Sequence, residues 1–219
     1  MSARNTKGHT LVEIMVVVTV MAIFLTAVGL VSLRTSDAFE EGSRGAELDS
    51  GLHRALETVV RELEDVGRNE LTPEPVAPLG AESMDFRVLE NNDVGELAWS
   101  PLRRIAWERE PGEADDGFDN DGDGLIDEGR VVWSELPGQP DERRRVLVSG
   151  VPELDPQETV NFADEDKDTL IDERGFALLI EGDVLSVQLS VGGVDEGGRV
   201  RTRSAGTSIH VHIGEMEGL

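Results

Sequence analysis

This sequence contains no cysteine and no tyrosine, and aromatic residues make up only 4% of its 219 residues. The absence of cysteine excludes disulfide frameworks, thiolate metal sites and cysteine nucleophiles. Basic residues are also few: 20 Lys and Arg against 45 Asp and Glu give a formal net charge of -25. This charge disfavours nucleic acids and anionic lipid headgroups as partners, because both are bound through cationic side chains. Hydrophobic residues still reach 38%, which is enough for a modest folded core.

Charged residues are absent from the apolar segment 14–33, which is 20 residues long. At ~1.5 Å per residue, a helix of this length spans about 30 Å, the thickness of the hydrocarbon core of a bilayer. The leader at residues 1–8 contains Arg4 and Lys7 and no acid, which predicts a cytoplasmic N-terminus and a domain on the opposite side of the membrane. No small-residue cleavage site follows residue 33, so the segment is expected to stay in the mature protein.

Glu13 interrupts the apolar pattern at the start of this segment. A carboxylate in hydrocarbon is costly unless it is paired or neutral, which makes Glu13 a candidate functional residue. The alternative is that Glu13 lies at headgroup level, where the positive end of the helix dipole favours an acid.

The segment 8–13, GHTLVE, followed by the apolar run, resembles the class III signal of type IV prepilins and type II secretion pseudopilins. The resemblance implies that a membrane-embedded prepilin peptidase cleaves between Gly8 and His9, and that His9 is then N-methylated. It also implies that Glu13, the fifth mature residue, pairs with the N-terminal amine of a neighbouring subunit during assembly. The family usually has Phe where this chain has His9.

Apolar residues recur every three or four positions after residue 33, which predicts an amphipathic helix. Gly67 and the prolines after it predict the end of this helix. We interpret its apolar stripe as core: Leu48, Leu52, Leu56, Val59, Leu63 and Val66. Residues 9–72 contain no proline, unlike the helices of major pilins, and this favours a minor pilin or pseudopilin.

Beyond residue 80 the apolar period shortens to two, which predicts strands. The expected fold is therefore α+β: a long N-terminal helix, half in the membrane and half amphipathic, packed on a mostly antiparallel β-sheet. Glycine-rich turns are predicted at 182–183, 192–193 and 197–198. The predicted strands are 84–88, 105–107, 131–133, 146–148, 176–180, 187–191 and 209–213.

These patterns predict four segments: a cleaved basic leader at 1–8, a transmembrane and filament-core helix at 9–33, its amphipathic continuation at 34–67, and an extracytoplasmic β-rich domain at 80–219 with Asp-rich loops at 113–129 and 161–174. The order of helix and strands is similar to that of J-type minor pseudopilins and W-type minor pilins.

The first Asp-rich loop has the spacing of a calcium site. Residues 110–129 hold nine carboxylates and no Lys or Arg, a density that repels itself unless a cation binds. Gly124 allows a sharp turn, and Ile126 is expected to anchor the loop to the core. Arg130 stands where an EF-hand has its bidentate Glu, so the pattern instead resembles the loops of dockerin-like and thrombospondin-like repeats. The predicted ligands are Asp119, Asp121, Asp123 and the carbonyl of Leu125, with Asp116, Asp127 or Glu128 completing the shell.

A second copy of this pattern follows at an offset of 45 residues. Thr169 replaces Gly124 and Asn161 replaces Asp116, so the second loop is the weaker candidate. Hard oxygen ligands favour calcium over magnesium, in a structural role. The alternative is that both loops are solvated acidic segments. The predicted ligands are Asp164, Asp166, Asp168, Leu170, Asp172 and Glu173.

We predict no enzymatic activity, because no nucleophile elbow, P-loop, dinucleotide fingerprint or zinc-protease motif is present. The predicted function is a minor pseudopilin or minor pilin that initiates a type II secretion pseudopilus or type IV pilus at its tip. Its expected partners are other pseudopilins or pilins, the prepilin peptidase and the inner-membrane assembly platform. Its expected location is the bacterial inner membrane, with a periplasmic globular domain. The alternative is a membrane-anchored extracytoplasmic calcium-binding module that does not form filaments.

Overall fold

The computed structural model describes residues 11–91, 97–195 and 197–211. Helix α1 spans Leu11–Leu63, and a 3₁₀ turn follows at Arg68–Glu70. This order, a helix and then strands, confirms the predicted α+β class. The strands in the described ranges are β1 Ser83–Phe86, β2 Leu89–Asn91, β3 Leu97–Trp99, β4 Arg103–Arg109, β5 Gly129–Glu135, β6 Arg143–Val151, β7 Phe176–Glu181, β8 Val184–Val194 and β9 Val200–His210.

The chain divides into two compact units, Met1–Gly45 and Ala46–Leu219. In the first unit, the stretch Leu11–Ser32 is long and apolar enough to cross a membrane. The hydroxyls of Thr19 and Thr26 donate to backbone carbonyls one helical turn earlier, each at 2.8 Å. These polar groups are therefore satisfied within the helix, as an apolar surrounding requires.

In the second unit, α1 contributes the predicted apolar stripe to the core. Its residues Leu52, Leu56, Val59 and Leu63 are all buried, and Leu48 packs against the same cluster. Burying such a stripe on a sheet is the main stabilising contribution available to an amphipathic helix. The strand residues of this core include Met84, Phe86, Ile105, Val131, Val151, Phe176, Leu178, Leu185, Val187 and Leu189.

The strands form three sheets in the second unit. Their orders are β1-β4-β5-β6, β2-β3 and β7-β8-β9. Every strand pair is antiparallel, as the alternating sequence pattern predicts. The pairing of β4 with β5 aligns Ile105 with Trp133 and Arg109 with Gly129, so the connection between these strands leaves and returns at one edge of the sheet.

The helix ends at Leu63, before its predicted end near Val66. Val66 forms a β-bridge with Val88, and the amide of Gly67 donates to the carbonyl of Arg87 at 3.4 Å. The chain has therefore already turned to pair with an extended segment. The hairpin β2-β3 was not predicted, because strands of three residues are too short to show a period of two.

Two further predictions about the sheet were wrong. Gly192 and Gly193 lie inside β8 and not in a turn. A Cβ on Gly193 would lie 3.0 Å from Cδ2 of Leu48, so the missing side chain lets β8 approach the helix closely. Among the described residues the last strand is β9, which begins at Val200, well before the predicted start at residue 209, and ends at His210. Its side chains are mostly exposed, so its sequence lacks apolar alternation. Residues 212–213 of the predicted strand lie outside the described residues.

Candidate functional site

The first Asp-rich loop, residues 110–128, joins β4 to β5 and is called loop 1. The amide of Glu110 donates to the carbonyl of Glu128 at 3.2 Å, which closes the base of the loop. The loop contains no helix or strand, so contacts within the loop itself must supply its shape.

Acidic side chains accept hydrogen bonds from the backbone amides of loop 1. One oxygen of Glu113 accepts from Asn120 and Asp121, each at 2.9 Å, and the other accepts from Asp127 at 3.3 Å. The carboxylate of Asp127 in turn accepts the amides of residues 116–117, at 3.1 and 2.8 Å. These bonds satisfy amides that would otherwise need water, and they hold distant parts of the loop together.

Three alternating aspartates of loop 1 form local turns. Asp119 accepts the amides of Gly122 at 2.6 Å and Gly124 at 2.9 Å. Asp121 accepts from Asp123 at 3.0 Å, and Asp123 accepts from Leu125 at 2.8 Å. A carboxylate offers about four lone-pair sites, so each of these side chains retains acceptor capacity toward a cation.

The second Asp-rich loop, residues 155–173, joins β6 to β7 and is called loop 2. The amide of Asp155 donates to the carbonyl of Glu173 at 2.9 Å, which closes this loop as in loop 1. Glu158 has the role of Glu113, because it accepts the amides of Glu165, Asp166 and Asp172 at 3.0, 3.3 and 3.2 Å. The two loops therefore have the same pattern of hydrogen bonds at an offset of 45 residues.

The backbone of both loops takes positive φ values at matching positions. Glycine occupies three of the four positions in loop 1 and none in loop 2. The left-handed region is disfavoured for residues that carry a Cβ, so the hydrogen bonds must impose it in loop 2. The angles are 76°, 84°, 93° and 52° at Gly117, Gly122, Gly124 and Asp127, and 64°, 69°, 84° and 51° at Phe162, Lys167, Thr169 and Asp172.

Each loop gathers carboxylates around one central aspartate. In loop 1, oxygens of Asp121 lie within 4.8 Å of those of Glu113 and Glu128, and in a second group within 4.8 Å of those of Asp119 and Asp123. In loop 2 the central residue is Asp166. It forms one group with Asp155 and Glu173 and another with Glu158 and Asp164, within the same distance. Clustered carboxylate oxygens are the ligands that calcium prefers.

The last glutamate in each loop has a buried carboxylate. Glu128 is 2% exposed and Glu173 is 5% exposed. Within the described part of the chain, neither carboxylate has a hydrogen-bond partner. Burial, with a smaller contribution from neighbouring carboxylates, raises the pKa of each to about 7. A buried carboxylate of this kind is expected to carry a proton or to bind a cation.

At the other end of the chain, Glu13 lies exposed in the first turn of α1. Gly8 and His9, the predicted cleavage site and methylated residue, lie outside the described residues. A family model described as the prokaryotic N-terminal methylation motif matches residues 3–29. The chain carries a prokaryotic N-terminal methylation motif. No curated protein and no solved structure matches this chain.

The methylation motif and the apolar helix support a type IV pilin-like or pseudopilin subunit. Together they suggest a single-pass protein anchored in a membrane. The methylation motif marks a structural pilin-type subunit and not an enzyme, in agreement with the prediction of no enzymatic activity.

The structure brings together only part of the predicted calcium ligands. The grouped side chains are Asp119, Asp121, Asp123, Asp127 and Glu128 in loop 1, and Asp164, Asp166 and Glu173 in loop 2; Asp127 forms a separate group with Asp115 and Glu153. The other predicted side chains accept polar hydrogens of the protein: Asp116 from Phe118 and Asn120, Asp168 from Leu170 and Gln188, and Asp172 from residues 161–162. The carbonyls of Leu125 and Leu170 remain predictions.

Sequence reasoning missed five grouped carboxylates, Glu113, Asp115, Glu153, Asp155 and Glu158. Extending the offset of 45 residues upstream pairs Glu113 with Glu158, and this signal was available. Asp155 corresponds to Glu110, whose longer side chain obscures the match.

The predicted anchor Ile126 was also wrong, because it is 58% exposed whereas Leu125 is 7% exposed. Leu125 lies against the backbone of Gly150 and Gly192, where added Cβ atoms would each be 3.3 Å from its methyl groups.

Proposed function

We propose that this chain is a minor pseudopilin or minor pilin subunit that assembles through its N-terminal helix into a type II secretion pseudopilus or a type IV pilus. The observation that carries the proposal is the methylation motif at residues 3–29, which overlaps an apolar helix with Glu13 in its first turn. The lack of proline in residues 9–72 supports a minor subunit, acting at the tip during initiation.

In this proposal the prepilin peptidase cleaves between Gly8 and His9, and His9 becomes the methylated N-terminus. Glu13 then pairs with the N-terminal amine of a neighbouring pilin or pseudopilin. A carboxylate and an ammonium that are buried together compensate each other, whereas each is costly alone in hydrocarbon. The subunit is inserted in the inner membrane with its globular unit in the periplasm, where the assembly platform recruits it.

The second part of the proposal is that loops 1 and 2 bind calcium and that the ions stabilise the globular unit. The grouped carboxylates and the unpartnered buried oxygens of Glu128 and Glu173 support it. Magnesium fits less well, because it requires a tight octahedron and keeps several of its waters.

Replacing Glu13 tests the assembly function. Glu13→Ala is expected to leave membrane insertion intact and to remove the subunit from sheared or co-purified filaments, because the partner's amine loses its counter-charge. Glu47→Ala changes another exposed glutamate of α1, outside the apolar stretch, and is expected to assemble normally. Normal assembly of Glu13→Ala would contradict the proposal and favour a membrane-anchored calcium-binding module that does not form filaments.

Mass spectrometry of the protein from its native host tests the cleavage. We expect a mature chain that starts at His9 and carries one additional methyl group. Functional material that retains residues 1–8 would contradict assembly through a processed N-terminus.

Calcium removal tests the second part. For the full chain in detergent micelles, a ligand at about 100 times its Kd adds ~2.7 kcal/mol to the stability. For a unit of this size that corresponds to a melting temperature roughly 5–10 °C higher in calcium than in EDTA. Magnesium at the same concentration is the control and is expected to give a smaller shift. Identical melting curves in calcium and EDTA would contradict calcium binding.

A further inference from the structure

The two loops differ in how deeply their carboxylates are buried. Loop 2 has three buried carboxylates, because Asp155, Glu158 and Glu173 are 7%, 4% and 5% exposed. Among the described carboxylates of loop 1, only that of Glu128 is buried to this degree. Glu110, the counterpart of Asp155, is only half-buried.

The β-sheet holds Asp155 in place. The hydroxyl of Ser190, which is 1% exposed on β8, donates to Oδ2 of Asp155 at 2.6 Å. Oδ1 of Asp155 accepts the amide of Gln157 at 2.9 Å. Asp155 is therefore fixed before any ion binds, while its oxygen lies within 4.8 Å of oxygens of Asp166 and Glu173.

Glu173 supplies an independent indication of a ligand. Within the described part of the chain, neither of its buried oxygens has a hydrogen-bond partner. The nearest basic residue in sequence, Arg174, donates to Glu82 and Glu153 instead. Arg174 therefore does not compensate the carboxylate of Glu173, and no other described residue forms a hydrogen bond with it.

Formal charge alone favours loop 1 as the tighter site. Residues 110–129 carry nine acids and no base, whereas residues 155–174 carry eight acids together with Lys167 and Arg174. Asp119, Asp121 and Asp123 of loop 1 are exposed, however, and the high dielectric constant of water weakens the interactions of exposed charges. Buried like charges are screened much less, so burial outweighs the count of acids.

We propose that Asp155, Asp166 and Glu173, of which Asp155 and Glu173 are buried, form a site for one calcium ion, and that this site fills before any site in loop 1. The inference rests on the calcium-binding part of the proposed function and reverses the order expected from Thr169. A site whose ligands are already fixed loses less freedom on binding. An uncompensated cluster of buried charges also gains most from a cation.

Isothermal titration of calcium into the calcium-stripped full chain in detergent micelles tests the order. The wild type is expected to show a tight phase followed by a weaker one. Asp155→Asn is expected to weaken the tight phase by about tenfold or more, because a charged ligand is lost. Glu110→Gln is the matched control in loop 1 and is expected to leave the tight phase unchanged. Glu128→Gln is expected to weaken only the later phase.

Asp166→Asn provides a second variant, because its side chain is not held by Ser190. Both Asn variants are expected to melt at a higher temperature than the wild type in EDTA, since one of three repelling charges is gone. If Asp155→Asn and Asp166→Asn keep the tight phase within about twofold while Glu128→Gln weakens it, the inference is wrong and calcium binding stands. If the wild type shows no binding at millimolar calcium, calcium binding and the inference both fail.

Discussion

Loops 1 and 2 have the same pattern of hydrogen bonds but different residue types at three of the four positions where the backbone takes positive φ values. Gly124 has a φ of 93° in loop 1, and Thr169 takes a φ of 84° at the matching position in loop 2. Glu113 and Glu158, by contrast, accept equivalent backbone amides in the two loops. The comparison indicates that the carboxylates that accept these hydrogen bonds determine the shape of the loops. Glycine only lowers the free-energy cost of the positive φ values that this shape requires.

The loops also differ in the support beneath them. Leu170 of loop 2 is fully buried and forms a small hydrophobic cluster with Ala177 and Leu179 of β7. Leu125 of loop 1 is slightly exposed and rests on glycine backbone at Gly150 and Gly192. Leu170 also lies against the backbone of Gly80, where an added Cβ would be 2.9 Å from its Cδ2. Loop 2 is therefore attached through side-chain packing in addition to backbone proximity, whereas Leu125 of loop 1 rests on glycine backbone.

Truncating the two anchoring leucines gives the largest expected difference. Leu170→Ala is expected to cost about 2–5 kcal/mol, because its cavity lies among packed side chains. Leu125→Ala is expected to cost about 1 kcal/mol less, because its partly open site can relax or admit water. Urea unfolding of the full chain in detergent, with calcium present, measures both. Equal losses would contradict the difference in support.

A large part of the fold was predictable from local patterns. The stripe from Leu52 to Leu63 predicted a buried helix face, and the alternation around Ile105 and Val131 predicted antiparallel strands. These predictions succeed because burial on one face imposes a period that the sequence shows directly.

Other features required tertiary contacts that local patterns do not contain. Gly193 was predicted to lie in a turn, but it lies in β8, where the absence of a side chain leaves room for Leu48 of α1. The burial of Glu128 and Glu173 was not predictable either, since it depends on how the loops fold back on the sheet. Repeating the offset of 45 residues upstream would have found Glu113 and Glu158, but not the bond from Ser190 to Asp155.

The pH dependence of the calcium-free protein tests whether the loops are equivalent at their buried glutamates. Burial raises the pKa of Glu128 and of Glu173 from 4.5 to about 7, so the folded state binds more protons than the unfolded state between these values. Stability is therefore expected to fall as pH rises from about 4.5 to 7, by roughly 2–3 kcal/mol per glutamate.

Melting in EDTA across this pH range measures the effect. Glu128→Gln and Glu173→Gln are each expected to remove a similar share of the slope, and the double variant the larger part of it. Burial also raises the pKa values of Glu158 and Asp166, which supply the remainder. With saturating calcium the slope is expected to reverse, because the ion binds the deprotonated carboxylates. A slope that depends on only one of the two glutamates would show that the loops are not equivalent.

Adding a Cβ at position 124 and removing the side chain at position 169 give the smallest expected changes in stability, with opposite signs. Gly124→Ala is expected to destabilise the protein by about 1–3 kcal/mol, because it forces a side chain into the left-handed region. Its Cβ would also lie 2.7 Å from Cγ2 of Val194. Thr169→Gly relieves the same backbone cost, but it also gives the unfolded chain more freedom, worth about 0.5–1 kcal/mol.

The net gain for Thr169→Gly is therefore expected to stay below about 1 kcal/mol in melting curves recorded in EDTA. Because the side chain of Thr169 is exposed, its removal costs little packing. A loss of more than about 1 kcal/mol would mean that Thr169 itself holds loop 2 in shape, and the carboxylates at Glu158 and Asp164 would then not be sufficient. A small gain together with a clear loss for Gly124→Ala would support one loop geometry that is imposed by acceptors and made easier by glycine.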